Sequence, residues 1–367
     1  MAGSSLGTIF RMTTWGESHG KGVGVVLDGC PAGLPLCERD IQSFLDRRKP
    51  GQSRFTTQRS EGDEVEILSG VFEGRTTGTP VSMLVRNTDQ RSRDYGEIAY
   101  SYRPGHADFT FDEKYGFRDY RGGGRSSGRE TIGRVAAGAV AVKILGSLGV
   151  HVAAYAKEIG GIAVDPERFD LRERDNNRLY MPDKEAAARA EALLDEQMAR
   201  KDSVGGVVEC IVDGLPAGIG EPVFEKLSAN LAKAVCSIGA VKGFEIGDGF
   251  AAARASGSTN NDPFRAVDGR VDKTSNHAGG ILGGISDGSR IVLRAAFKPT
   301  PSIASVQQTV NSGSVENMDL SIRGRHDPII VPRAVVVVES MVAFEAVDML
   351  FINMTSQLER IQKFYRE

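Results

Sequence analysis

The stretch Arg129–Gly149, RETIGRVAAGAVAVKILGSLG, decides how the rest of the chain is read. Ser127 and Glu130 stand at capping-box spacing, which predicts a helix that begins at Ser127 and runs through small residues to Gly149. Alanine and glycine recur on every side of it, so it should pack closely against other elements on several sides. A second apolar stretch, Ala334–Met354, is rich in Val, Met and Phe. It also contains Glu339, Glu345 and Asp348. Each carboxylate would cost about 2.5–3.5 kcal/mol at a bilayer centre, which makes this a buried or subunit-packing element and not a membrane span.

Working outward, periodicity and punctuation predict helices over Glu38–Arg48, Lys184–Arg200 and Pro222–Val235, the last with proline at its start. Strands are expected at Gly22–Leu27, Val65–Ser69, Val81–Arg86, Val207–Val212 and Arg290–Phe297. Strands and helices do not alternate regularly, so the pattern indicates a mixed α and β chain with antiparallel pairing. Gly20, Gly22 and Gly24 have the wrong spacing for a dinucleotide-binding turn. Gly123–Gly128 has the glycine spacing of a P-loop, but Arg129 and Glu130 replace the required Lys and Ser or Thr. A carboxylate cannot take the place of the magnesium-bound hydroxyl, so a nucleotide triphosphatase is rejected. No repeat, low-complexity tract or linker stands out, and residues 1–367 are read as one domain.

Composition narrows the partners. The 367 residues include 45 basic and 48 acidic side chains, a formal charge of −3. That balance leaves no excess positive field for a long nucleic acid, so any basic site must be local. Cys30, Cys37, Cys210 and Cys236 form no CxxC pair and are read as reduced thiols. The N-terminal MAGSSLGTIF lacks a basic segment followed by an apolar run, so a cytoplasmic protein is expected. The 44 glycines point to many turns and close backbone approaches.

Four of the five histidines stand in polar or glycine-rich contexts: His19 in WGESHGKG, His106 in RPGHAD, His277 in SNHAGGILGG and His326 in GRHDP. Imidazole titrates near neutrality, with an ordinary pKa of about 6.5, so loop histidines suit general acid or base work. No HxxxH, HExxH or Cys/His spacing supports a metal. His151, in LGVHVAAY, lies in an apolar strand pattern and is read as a core or interface residue. Arginines form the second class. Arg47, Arg48, Lys49, Arg54 and Arg59 flank Pro50–Gly51, and Arg121, Arg125, Arg129 and Arg134 surround the glycine turn before the long helix. Guanidinium forks, hydroxyls and backbone N–H groups at a helix start make a ready phosphate or carboxylate site. Lys298, Arg323 and Arg325 add positive charge in loops. Asp327 reads as a base, an ion-pair partner or a turn cap before Pro328, the last being the default for an isolated Asp-Pro. The residues alone therefore indicate an enzyme handling a small polyanion by proton transfer, without naming the reaction.

In order along the chain, GESHG (16–20), RRKPGQSR (47–54), RPGHAD (103–108), GRSSGRET (124–131), GAVKGFEIGDGF (239–250), SNHAGGILGGISDG (275–288), KPTPSI (298–303) and GRHDP (324–328) together resemble chorismate synthase. The resemblance implies an α+β fold, a β-α-β sandwich in which two antiparallel sheets enclose a layer of helices, assembled as a homotetramer, a dimer of dimers. It implies 1,4-anti elimination of phosphate from 5-enolpyruvylshikimate 3-phosphate, giving chorismate in the shikimate pathway of aromatic amino acid biosynthesis. Reduced FMN is the implied cofactor, with no net redox change. NADPH would enter only indirectly, through a separate flavin reductase, because the long insertions of bifunctional relatives are missing.

By the same resemblance, His19 matches the histidine that protonates the leaving phosphate and His106 the one beside flavin N1. Asp327 matches the aspartate that assists proton removal through flavin N5. Arg48, Arg54 and Arg129 carry over as substrate contacts. Arg125, Ser126, Ser127, Gly239, Ala240, Gly283, Lys298, Pro299, Thr300, Pro301, Ser302 and Arg325 carry over as FMN contacts. Gly239 stands where some relatives have Asn, and Pro301 where some have Ser. Alternative readings are an NADPH-dependent flavin reductase-type flavoprotein and, in a different class, an RNA- or polyanion-binding protein built on Arg47–Arg59. The second lacks the interleaved aromatics such a surface uses.

Overall fold

A computed structural model describes residues 3–56, 62–88, 99–121, 123–322 and 327–366. Two five-stranded sheets, antiparallel throughout, enclose the long helices. The first sheet contains β1 (Ser5–Leu6), β2 (Arg11–Gly16), β3 (Gly22–Asp28), β4 (Val65–Ser69) and β5 (Val81–Arg86), in the order β1-β2-β3-β5-β4. The second contains β6 (His151–Ile159), β7 (Ile162–Ala163), β8 (Gly206–Asp213), β9 (Val241–Ile246) and β10 (Ile291–Phe297), in the order β9-β10-β8-β6-β7. Alternation sets which face is buried: Val23, Val25 and Leu27 pair with Val85, Met83 and Val81, and all six are buried. In the second sheet, Val208, Cys210 and Val212 pair with Ala295, Leu293 and Ile291 in the same way.

Besides a single helical turn at Gly257–Asn260, the helices of the described residues are α1 (Glu38–Arg48), α2 (Asp108–Tyr115), α3 (Thr131–Ser147), α4 (Lys184–Ala199), α5 (Leu227–Cys236), α6 (Val331–Asn353) and α7 (Leu358–Arg366). α3 packs on the first sheet and α6 on the second, and the two helices pack on each other. Their small residues explain the close crossing. A Cβ added to Gly138 would fall 2.2 Å from the Cβ of Ser340, so a larger residue would force the helices apart. α6 is buried on all sides, as a helix without a polar face must be.

Its three carboxylates are accommodated differently. Glu339 binds Arg47 in bidentate fashion, at 2.6 and 3.0 Å. Asp348 accepts the backbone N–H groups of Thr8, Ile9 and Phe10 at 2.7–2.9 Å. Glu345 is raised to about 7, because burial and then nearby Asp348 outweigh Lys233. Among the described residues, no helix is long and apolar enough to cross a membrane.

Three local expectations need correction. The helix read from Pro222 begins at Leu227, because Val223 takes φ 64°, outside the helical region. The capping box at Ser127 does not form: Ser127 Oγ accepts from Arg129 N in a single 3-10 turn, and Glu130 turns to Arg134. The long helix therefore starts at Thr131. His151 is exposed at the head of β6, which overturns its core reading and not its interface one, since that strand buries its middle and not its first residue.

Candidate active site

His19 sits in the turn joining β2 to β3 and is 7% exposed. Its Nδ1 lies 3.1 Å from Ser18 Oγ. Asn87, just beyond β5, pins this turn by donating to the carbonyls of Glu17 and Gly20 at 2.9 and 2.8 Å. The same amide accepts from Arg129 Nε at 2.9 Å. Arg129 then donates to Asp63 Oδ1 at 3.0 Å, and Arg48, the last residue of α1, donates to Asp63 Oδ2 at 2.8 Å. From the first turn of α6, Arg333 bonds the Arg48 carbonyl at 3.0 Å and Asp327 Oδ2 at 2.8 Å. A continuous polar chain thus joins the His19 turn to Asp327.

Burial dominates its electrostatics. Arg48 is 1% exposed, and desolvation lowers its pKa to about 10, with Asp63 pulling the other way. It remains charged at neutral pH. Among the described residues its Nε and Nη2 face no acceptor, a costly state for buried donors unless an anion completes the site. Burial likewise pushes the Asp63 carboxyl up, opposed first by Arg48. We take the carboxylate as ionised, because two guanidiniums bond one oxygen each.

His106 approaches from another loop. Its Nε2 lies 2.7 Å from Ser302 Oγ, and Lys298 Nζ donates to the Gly105 carbonyl at 2.6 Å. Gly105 is required here: at φ +71° its added Cβ would lie 2.8 Å from Pro301 Cβ. Ser203 Oγ donates to the Thr300 carbonyl at 2.7 Å, and Val204 N donates to the Pro328 carbonyl at 3.0 Å. Asp327 is therefore tied to the His106 side as well. Lys298 N bonds the Ala240 carbonyl at 3.0 Å. Burial and then Lys242 lower the Lys298 pKa.

The glycine turn before α3 closes the ring of loops. Arg125 donates to the Gly16 carbonyl at 3.1 Å and to Thr14 Oγ1 at 2.6 Å. A Cβ on Gly123 would stand 4.0 Å from Arg103 Nη2, which belongs to the His106 loop. From α3, Arg134 pairs with Glu130 at 2.8 Å and donates to Ser237 Oγ at 2.5 Å, two residues before Gly239. Such a ring, lined by imidazoles, guanidiniums and hydroxyls, can bind a polyanion and move protons.

Several expected residues stand outside this ring. Gly283 lies in a hairpin whose Gly284 carbonyl accepts from Leu227 N at 2.8 Å. That is the N-terminal end of α5, while Gly239 and Ala240 follow its C-terminal end, and a ten-residue helix is roughly 15 Å long. Arg54 is exposed, 2.8 Å from Asp195 and stacked on Phe55. Within the ring's own loops, Ser126 and Gly239 are exposed, and Pro299 lies between the bonded residues Lys298 and Thr300. His277 Nδ1 pairs with Asp248 at 2.7 Å. Arg59, Arg323, Arg325 and His326 lie outside the described residues. Asp63, Asn87 and Arg333 were not marked by any motif. Asp63 reads in sequence as a turn acid, and only contacts with residues far along the chain reveal it.

The chorismate synthase family model matches residues 10–351. A chorismate synthase of Lachnospira eligens is 67% identical over 367 residues, covering 100% of both chains. One of Methanosarcina barkeri is 56% identical, covering 98% of this chain and 100% of its own. A crystal structure of a chorismate synthase superposes with a TM-score of 0.76 at 32% identity, over 98% of this chain and 97% of the other. The β-α-β sandwich, the ring of polar loops and these likenesses over the full chain agree: the chain belongs to the chorismate synthase family, whose members are carbon–oxygen lyases.

Proposed function

We propose that the chain eliminates phosphate from 5-enolpyruvylshikimate 3-phosphate in the 1,4-anti sense, giving chorismate, and that it does so with reduced FMN bound among the loops 125–127, 239–240 and 298–302. The observation that carries this reading is the unbroken polar path from the His19 turn through Arg129, Asp63, Arg48 and Arg333 to Asp327. The residues fit a phosphate-bearing cofactor: Lys298 is pulled below its ordinary pKa by burial and by Lys242, and an anion between the two ammonium groups would relieve that. Reduced FMN, when bound, supplies an electron-rich ring that assists departure of an allylic phosphate.

The chain's own groups do the rest. Arg48 and Arg129 bind the substrate's anionic groups and orient it. His19, buried beside Ser18, delivers a proton to the departing phosphate oxygen as the C–O bond breaks. Asp327, held by Arg333, assists removal of the proton on the opposite face, and a new C=C bond forms. His106, which contacts Ser302 Oγ, would hold the flavin. We further read residues 1–367 as one domain of a cytoplasmic homotetramer that draws reduced flavin from a separate reductase.

The test is anaerobic. With chemically reduced FMN and the enolpyruvyl substrate, the protein should release phosphate without consuming NADPH. NADPH oxidation with no phosphate release would replace this reading with a flavin reductase.

A further inference from the structure

We infer that Asp63 is a positioning residue for this reaction, its carboxylate holding Arg48 and Arg129 side by side as a paired receptor for one anionic arm of the substrate. The inference rests on the lyase reading above. The Asp63 side chain is 0% exposed and gives one oxygen to each guanidinium, at 2.8 and 3.0 Å. Both arginines bond it through Nη1. Sharing one carboxylate fixes the spacing of the two cations, which come from the C-terminal end of α1 and the turn before α3.

The backbone is bent to place this carboxylate. Asp63 takes φ 48°, a left-handed conformation uncommon outside glycine. Gln42 of α1 holds it there, donating to the Asp63 carbonyl at 3.3 Å and accepting from Val65 N at 3.1 Å. The helix that carries Arg48 therefore also sets the carboxylate that aims it. Arg47, bound to Glu339 through both terminal nitrogens, leaves its Nε without an acceptor among the described residues, whereas Arg48 leaves a terminal nitrogen, Nη2, as well as Nε. They are the donors left for a ligand.

Steady-state phosphate release, measured anaerobically with reduced FMN, tests this by a double-mutant cycle of Asp63→Asn and Arg48→Ala. Asp63→Asn should raise KM for 5-enolpyruvylshikimate 3-phosphate about tenfold, the worth of a misaligned charged hydrogen bond, and lower kcat much less. Joined to Arg48→Ala it should raise KM by less than the product of the single effects, because Asp63 acts through Arg48. An unchanged KM in Asp63→Asn, or effects that multiply, overturns the role. If Asp63→Asn does not accumulate folded, Asp63→Glu carries the test. A carboxylate displaced by one methylene should raise KM about threefold or more, and an unchanged KM refutes the inference. A parent protein that releases no phosphate sinks the lyase reading and this role together, whereas an active parent with an indifferent Asp63 sinks only the role.

Discussion

Arg47 and Arg48 are adjacent at the end of α1, and both are withdrawn from water, yet they belong to different halves of the molecule's chemistry. Arg47 turns toward α6 and makes a two-pronged pair with Glu339, which also takes a bond from Arg174 and from Ala154 N. Burial pulls its pKa down, but Glu339 more than restores it, and the net shift is upward. Arg48 turns toward Asp63, uses a single nitrogen, and stays below its ordinary value. One residue of helix rotation, about 100°, separates the two directions. A buried arginine whose two terminal nitrogens are both matched by its own protein braces the fold, and one that leaves a terminal nitrogen unmatched among the described residues waits for something from outside.

That contrast is open to direct attack. The largest effect should come from Glu339→Ala, which strands Arg47 beside an apolar helix and should cost about 3–5 kcal/mol of stability in urea unfolding. KM of the folded enzyme should be unchanged, and a large shift in KM would erase the division between the two arginines. Next, His19→Ala and His106→Ala should each lower turnover about 10²-fold or more without lowering the melting temperature comparably. Near-normal rates in both would count heavily against the site.

A third test uses pH. Glu345 has an ordinary value of 4.5 and is raised to about 7 in the fold. The folded state therefore keeps its proton while the unfolded chain loses one, and this group's contribution to stability is present below about 4.5 and is lost as pH rises to about 7. Glu345→Gln should gain more melting temperature over the parent at pH 8 than at pH 5, and an equal gain at both would refute the shift. The smallest effect is expected for Arg54→Ala. Its exposed pair with Asp195 should be worth under about 1 kcal/mol, with KM within about twofold of the parent. A clear rise in KM would bring Arg54 into the substrate site after all.

Much of this architecture was legible before any coordinates. α1, β4 and β5 begin and end where periodicity places them, because each is bounded by proline, glycine or charge. The short strand β2, RMTTWG, escaped notice although its burial alternates and Thr13–Thr14 are β-branched. Helix starts were less readable. Pro222 fits a first helical turn, but Glu221 N bonds the Glu225 carbonyl and the chain makes a turn instead. At the site, histidines and arginines announced themselves by type and context. Asp63, Asn87 and Arg333 did not, since a lone acid, amide or guanidinium acquires meaning only from partners brought to it by folding. The Arg47–Glu339 contact spans 292 positions and the Arg129–Asp63 contact 66.

The grip of Asp348 on Thr8, Ile9 and Phe10 has a consequence for biogenesis. That contact spans up to 340 positions, and the helix that provides it also joins the second sheet to α3, the helix that packs on the first. While the polypeptide is still emerging from the ribosome, its first strand has no permanent anchor and its two sheets have no common interior. Closure must come late, as a single long-range event, which makes folding slow and leaves nascent strand edges in need of protection until residue 348 is free of the exit tunnel.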